Sequence, residues 1–170
     1  FHDEFQLTLL QRPVDVLHRE EARDIIGLDR APVQDGDGRG DGVALHRAVL
    51  QFAVDLMNQR GFVQLGVPVL VRDAMMVGTG YFPGGEEQAY RCERDQMSLV
   101  GTAEVPLTAY HCDEILNEEE LPKKYFALSS CFRREAGAAG KDTYGLYRIH
   151  AFEKVEQVII CRNDEQTSIE

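Results

Sequence analysis

Two strand-like runs, residues 125–132 and 147–161, are joined by a basic, glycine-rich loop over residues 133–146. This pairing constrains the fold more than any other feature, because so short a connection between two extended runs specifies an antiparallel hairpin. The loop opens Arg133-Arg134-Glu135-Ala136-Gly137 and closes just before Arg148. Two arginines at the mouth of one hairpin present permanent, planar charges suited to phosphate oxygens. Spacing alone fits a solvated hairpin, with surface ion pairs to Glu135 and Asp142, at least as well.

Beyond Arg148 a period of two places Arg148, His150, Phe152, Lys154 and Glu156 on one face and Ile149, Ala151, Glu153 and Val155 on the other. A row of charged, aromatic and acidic side chains is odd for a core face. It reads either as a solvent-facing strand or as the floor of a ligand site. Phe152 could then stack on a base, and Glu156 could accept a hydrogen bond from a hydroxyl or amine.

Charge narrows the ligand. The 170 residues carry a net charge of −11, which argues against broad, non-specific nucleic-acid binding. Yet residues 122–150 hold Lys123, Lys124, Arg133, Arg134, Lys141 and Arg148 against only Glu135 and Asp142. A basic island in an acidic chain fits a specific anionic ligand. No apolar run nears the roughly 20 residues of a membrane span. No signal peptide is legible, and the chain begins with Phe1 instead of Met, as a processed or truncated product would. Cys92, Cys112, Cys131 and Cys161 form no Cys-x-x-Cys pair, which fits reduced thiols and a cytoplasmic protein.

The rest of the chain reads as alternating helices and strands. Residues 1–42 are short helical pieces leading into a loop, Gln34-Asp35-Gly36-Asp37-Gly38-Arg39-Gly40-Asp41-Gly42, whose acidic spacing fails the calcium-loop pattern at Arg39 and His46. Residues 43–60 form the clearest helix, with Leu45, Val49, Phe52 and Leu56 on one face and Arg60-Gly61 as its stop. Residues 62–71 read as a strand that Pro68 confines to an edge or bends, residues 78–85 as a loop, and residues 90–100 as extended. A helix follows over residues 101–116, with Pro106 tolerated in its first turn. Thr102 serves there as an N-cap and Glu104 as a first-turn carboxylate, or else the pair lines a pocket holding an ammonium group. His111 and His150 have no partner at catalytic or metal spacing. No phosphate-binding glycine loop and no hydrolase nucleophile motif is present.

Taken in order, these segments resemble the catalytic domain of seryl-tRNA synthetases, class II aminoacyl-tRNA synthetases. Asn58-Gln59-Arg60-Gly61-Phe62 with Val67-Pro68 resembles the first class II motif. Gly101-Thr102-Ala103-Glu104-Val105-Pro106-Leu107 resembles the serine-binding segment. Asp113-Glu114-Ile115-Leu116 with Glu120-Leu121-Pro122 resembles the segment that follows it. Phe132-Arg133-Arg134-Glu135-Ala136-Gly137 through Glu156 resembles the second motif and its serine-specific continuation.

The resemblance implies an α+β fold, a partial class II core in which an antiparallel sheet is flanked by helices. Residues 1–42 would lead into a partial catalytic domain at 43–170. It implies ATP-dependent activation of L-serine to seryl-adenylate and transfer to tRNA(Ser), by a homodimer formed through residues 45–71. Arg133 would be the catalytic residue, steadying the α-phosphate of ATP. Arg134, Glu135, Arg148, Ile149 and Phe152 would complete this side of the ATP site, and Thr102, Ala103, Glu104 and Glu156 would bind serine. A carboxylate built to bond a hydroxyl rejects alanine, which leaves it unpaired.

Ala151 departs from the glutamine usual there. The third class II motif and the ligands of the Mg2+ that accompanies ATP are expected beyond Glu170, and the tRNA-gripping N-terminal arm is not seen. On this reading the chain is a catalytic-core fragment, weak or inactive alone, whose last strand-like run, residues 154–161, exposes an edge that the missing half should cover. A non-catalytic paralogue that keeps the pocket or the dimer face, and a ligase loading an amino acid onto a carrier protein, are the alternatives.

Overall fold

The computed structural model describes residues 40–136 and 149–163. The expectations for residues 1–39, for most of the hairpin loop and for Arg148 lie outside those residues. A helix α1 (Asp41–Gln59) leads to strands β1 (Val63–Gln64) and β2 (Leu70–Arg72) and a short helix α2 (Asp73–Gly78). The hairpin β3 (Arg91–Cys92) and β4 (Met97–Leu99), a one-turn helix α3 (Glu104–Thr108), and the long strands β5 (Lys123–Phe132) and β6 (Ala151–Ile160) follow. They form two three-stranded sheets, β1-β5-β6 and β2-β4-β3. β1 runs parallel to β5, and the other pairings are antiparallel. This is the expected α+β arrangement of sheet and flanking helices.

The hairpin read from the sequence forms the spine of the molecule. β5 and β6 pair along their whole length, from Lys123 opposite Ile160 to Phe132 opposite Ala151. The period of two then divides their side chains between two layers. Phe126 and Val155 face α1, where they meet Val54 and Met57. Ala127, Val158 and Ile160 face the opposite way and pack with Ala103 and Leu107 of the α3 region. Alternation puts Phe152, Lys154 and Glu156 on that second side, beside the start of α3.

α1 ends as the sequence indicates. Gly61 adopts φ +76°, and the amides of Gly61 and Phe62 donate to the carbonyls of Asn58 and Met57 at 3.0 and 3.1 Å. This is a Schellman closure, completed by Phe62 and Met57 in one apolar cluster. The expected face needs correction. The buried positions are Ala53, Val54 and Met57, whereas Phe52 is 62% exposed. The helix is rotated so that its small and flexible side chains, not its phenylalanine, meet the sheet.

Three further expectations change. The strand expected over residues 62–71 is two strands in different sheets, interrupted around Pro68, which has no N–H to give a ladder. Residues 90–100 form the tight hairpin β3–β4, turned at Gln96 with φ 53°, and the loop expected from residue 78 follows directly on helix α2. The helix over 101–116 is only α3 plus a 3-10 turn at Ala109–His111. It stops because Cys112 is extended and Asp113 takes φ 64°, so residues 113–122 run over the surface instead of continuing the apolar stripe.

Candidate adenylate site

The site lies where three chain segments cross the β5–β6 hairpin. Arg133 follows directly on β5. Its amide donates to the His150 carbonyl at 2.9 Å, and the amide before it, of Phe132, donates to the Val100 carbonyl at 2.8 Å. The base of the hairpin loop is therefore pinned on both sides. His150 Nδ1 lies 3.0 Å from the Arg133 carbonyl and 2.9 Å from Tyr90 Oη. His150 thereby links the end of β5 to Tyr90, next to the β3–β4 hairpin.

The Arg133 side chain turns back over the sheet. Its Nε–H donates to the Gly101 carbonyl at 3.1 Å, and its guanidinium carbon sits 5.4 Å above the centre of the Phe152 ring. A fixed positive charge and an aromatic face thus meet at one end of the site. Arg134 is exposed, and its backbone amide donates to the Gln88 carbonyl at 2.8 Å. Gln88 returns a side-chain bond of 2.9 Å to the Ala136 carbonyl. Glu135, at φ 54°, makes the turn away from β5. Ile149 and Phe152 are partly buried. The structure thus gathers Arg133 and Phe152 directly and sets Arg134, Glu135 and Ile149 around them.

Two positions along β6 on the same side as Phe152, a second cluster forms around Thr102, which is 5% exposed. The Thr102 hydroxyl donates to Glu156 Oε2, accepts from Lys154 Nζ at 2.8 Å and accepts from the Glu104 amide at 3.2 Å. Lys154 also forms an ion pair with Glu156 Oε2. The threonine hydroxyl is fully used. Both contacts to Glu156 fall on Oε2, so Oε1 is an acceptor that neither Thr102 nor Lys154 occupies. Ala103 is fully buried in the core cluster with Leu107 and Val158. Glu104 is partly buried at the first position of α3.

Lys154 is the residue that sequence reasoning missed. It stood on the right face, between Phe152 and Glu156, but was given no role. The alternation was the available signal, because a cation two residues from a carboxylate on one strand face lies within ion-pair reach. Beneath this cluster, burial pushes the Cys131 thiol up, with Ser129 and Lys154 pulling the other way. That keeps it an un-ionised, unreactive group. Among the described residues no group of three His, Cys, Asp or Glu side chains could hold a metal ion. The chain therefore offers an arginine–aromatic end and a hydroxyl–ammonium–carboxylate end on one strand face.

A family model described as the tRNA synthetase class II core domain (G, H, P, S and T) matches residues 90–170. A serine–tRNA ligase of Deinococcus radiodurans is 47% identical over 131 residues, covering 77% of this chain and 31% of that protein. The chain belongs to the seryl-tRNA synthetase family. The seryl-tRNA synthetase of Pyrococcus horikoshii, solved in complex with ATP, superposes with a TM-score of 0.71 at 35% identity over 81% of this chain and 32% of that one. The cytoplasmic serine–tRNA ligase of Naegleria fowleri, solved with AMP, gives 0.70 at 33% identity over 76% and 31%. The chain thus spans about a third of the length of the seryl-tRNA synthetases it matches. The residues matched by the family model, 90–170, include both ends of the strand-face site.

Proposed function

We propose that this chain carries the serine- and ATP-facing half of a serine–tRNA ligase site, within a partial catalytic domain at residues 43–170. In the complete reaction a serine carboxylate oxygen attacks the α-phosphorus of ATP. A new O–P bond forms as the bond to pyrophosphate breaks, and the seryl group then passes to tRNA(Ser). Arg133 would hold the α-phosphate and offset the charge that builds on its oxygens, which is where a pre-placed cation contributes most. Phe152 would take the adenine, with Arg134, Glu135, Arg148 and Ile149 around the nucleotide. At the other end Thr102, Ala103 and Glu104 would border the amino-acid pocket, and Glu156 would receive the seryl hydroxyl.

The observation that carries this reading is the position of Glu156. Thr102 and Lys154 hold its carboxylate through one oxygen, and the other remains as an acceptor four residues along the strand from Phe152. That separation, about 13 Å, lets one ligand place a base and a hydroxyl-bearing amino acid at the two ends. ATP in this family travels with Mg2+, but the described residues offer no set of ligands for it, and no step here is assigned to the metal.

The dimer face expected over residues 45–71 gains support from Phe52 and Val63, exposed at 62% and 55%. A cytoplasmic location remains part of the proposal. No helix among the described residues is long and apolar enough to cross a membrane.

Calorimetry with a non-hydrolysable seryl-adenylate analogue tests the reading. The chain should bind it more tightly than either serine or AMP. Equal affinity for the analogue and for AMP would leave the serine end without a role, and no binding of either would remove the adenylate site altogether.

A further inference from the structure

Tyr81 stands beside the site without having been singled out by sequence or by resemblance. Its ring lies in a slot made by two glycines. A Cβ on Gly85 would come 2.8 Å from Tyr81 Cε1 and 2.5 Å from its carbonyl oxygen. A Cβ on Gly101 would come 2.3 Å from the Tyr81 hydroxyl and 3.1 Å from Cζ. Real Cβ atoms essentially never make contacts under 3.0 Å, such as those to Tyr81 Cε1 and its hydroxyl, so the ring fits only because both neighbours lack a Cβ. The loop is closed behind it by the Gly85 amide, which donates to the Tyr81 carbonyl at 3.1 Å. The ring also packs against the cluster of Met76, Phe82, Val100 and Val105.

The same point on Gly101 is 3.5 Å from Arg133 Cγ, so the phenol, the glycine backbone and the arginine stem converge there. Gly101 also accepts the Arg133 Nε–H through its carbonyl. Burial pushes the Tyr81 phenol up, against the pull of the nearby Arg133 charge. At neutral pH it is therefore an uncharged wedge and not a counter-ion for the guanidinium.

We infer that Tyr81 is a positioning residue for Arg133. Clamped between Gly85 and Gly101, its ring sets the position of the Gly101 carbonyl, and that carbonyl aims the guanidinium over Phe152. The inference rests on the proposed nucleotide role of Arg133.

The test is calorimetric titration of the full chain with α,β-methylene ATP, alongside thermal melts. Tyr81→Ala empties the slot and should weaken binding about tenfold, since a misplaced charge of this kind is costly well before contact is lost. Gly101→Ala drives a methyl into the phenol and should weaken binding similarly. Tyr81→Phe, which keeps the ring, should stay within about twofold. Combined with Gly101→Ala it should recover most of the loss, because the closest clash is with the hydroxyl. A merely structural role would lower the melting temperature of the variants without this rescue of affinity. Unchanged affinity in Tyr81→Ala and Gly101→Ala, or no rescue by Tyr81→Phe, overturns the inference while leaving the nucleotide site in place. Failure of the unaltered chain to bind the analogue overturns the reading beneath it. If Tyr81→Ala does not fold, the Gly101→Ala and double-variant pair decides.

Discussion

Replacing Glu156 with alanine should abolish the discrimination between serine and alanine while leaving nucleotide binding in place. In the structure the carboxylate is held through Oε2 by Thr102 and Lys154, and a seryl hydroxyl would donate to Oε1. A hydrogen bond to a charged group contributes about 1.5–3 kcal/mol, and about 1.4 kcal/mol corresponds to tenfold in affinity. The intact chain should therefore prefer a seryl- over an alanyl-adenylate analogue by roughly 10- to 150-fold. In Glu156→Ala the ratio should fall to near one. Absolute affinities are a poorer readout, because the substitution also strips the Lys154 ammonium of its partner, leaving it the 2.8 Å bond to Thr102. That loss affects both ligands alike and cancels in the ratio. Glu156→Gln, which keeps an acceptor but not the charge, should fall in between. Paired calorimetric titrations supply the ratios, and a Glu156→Ala chain that still prefers the seryl analogue more than tenfold would refute the assignment.

Other expectations concern the frame that holds the site. Asp73 accepts from Ser98 at 2.7 Å and from Arg91 at 2.5 Å, tying α2 to both strands of the β3–β4 hairpin. These bonds, the one from Ser98 foremost, hold its carboxyl below the usual range. A depressed folded-state pKa gives stability that is present above the unfolded value, about pH 4, and lost as pH falls through the folded one. Asp73→Asn should therefore lower stability by about 1 kcal/mol at pH 7, with the gap to the unaltered chain closing in acid; an equal gap at pH 3 in thermal melts contradicts this. Phe126, fully buried between β5 and α1, should cost about 3–5 kcal/mol as alanine, read as a drop in the urea midpoint; a cost under 1 kcal/mol would show that α1 is not seated there. Phe52→Lys places a charge on the proposed dimer face. Sedimentation should shift from dimer to monomer without loss of helix content, and an unchanged association state argues against that face.

Much of the frame was legible because it follows from local chemistry. The period of two in β6, the Gly61 stop after α1 and the break that Pro68 imposes are each written in a few consecutive residues. What escaped depended on distant partners. Phe52 carries the strongest apolar signal on α1, yet the buried residues are Ala53, Val54 and Met57, the last two packed with Phe126 and Val155 of the distant hairpin. The helical run of α3 and its 3-10 turn ends at His111, before the extended Cys112 and the left-handed Asp113, which its sequence neighbours do not announce. In the proposed site, Arg133, Phe152, Thr102 and Glu156 were singled out through resemblance and strand alternation. Lys154 was missed because its role needs Thr102, 52 residues earlier in the chain. Tyr81 was missed because its slot is defined by what Gly85 and Gly101 lack.

If one face of β6 holds both ends of an aminoacyl-adenylate, a crystal structure of the chain with a non-hydrolysable seryl-adenylate analogue bound shows it without intermediary. The adenine should lie against the Phe152 ring, the phosphate-equivalent group beside the Arg133 guanidinium, and the seryl hydroxyl within hydrogen-bond distance of Glu156 Oε1. An analogue bound with its seryl group away from Glu156, or on the opposite face of the sheet beside α1, would contradict it.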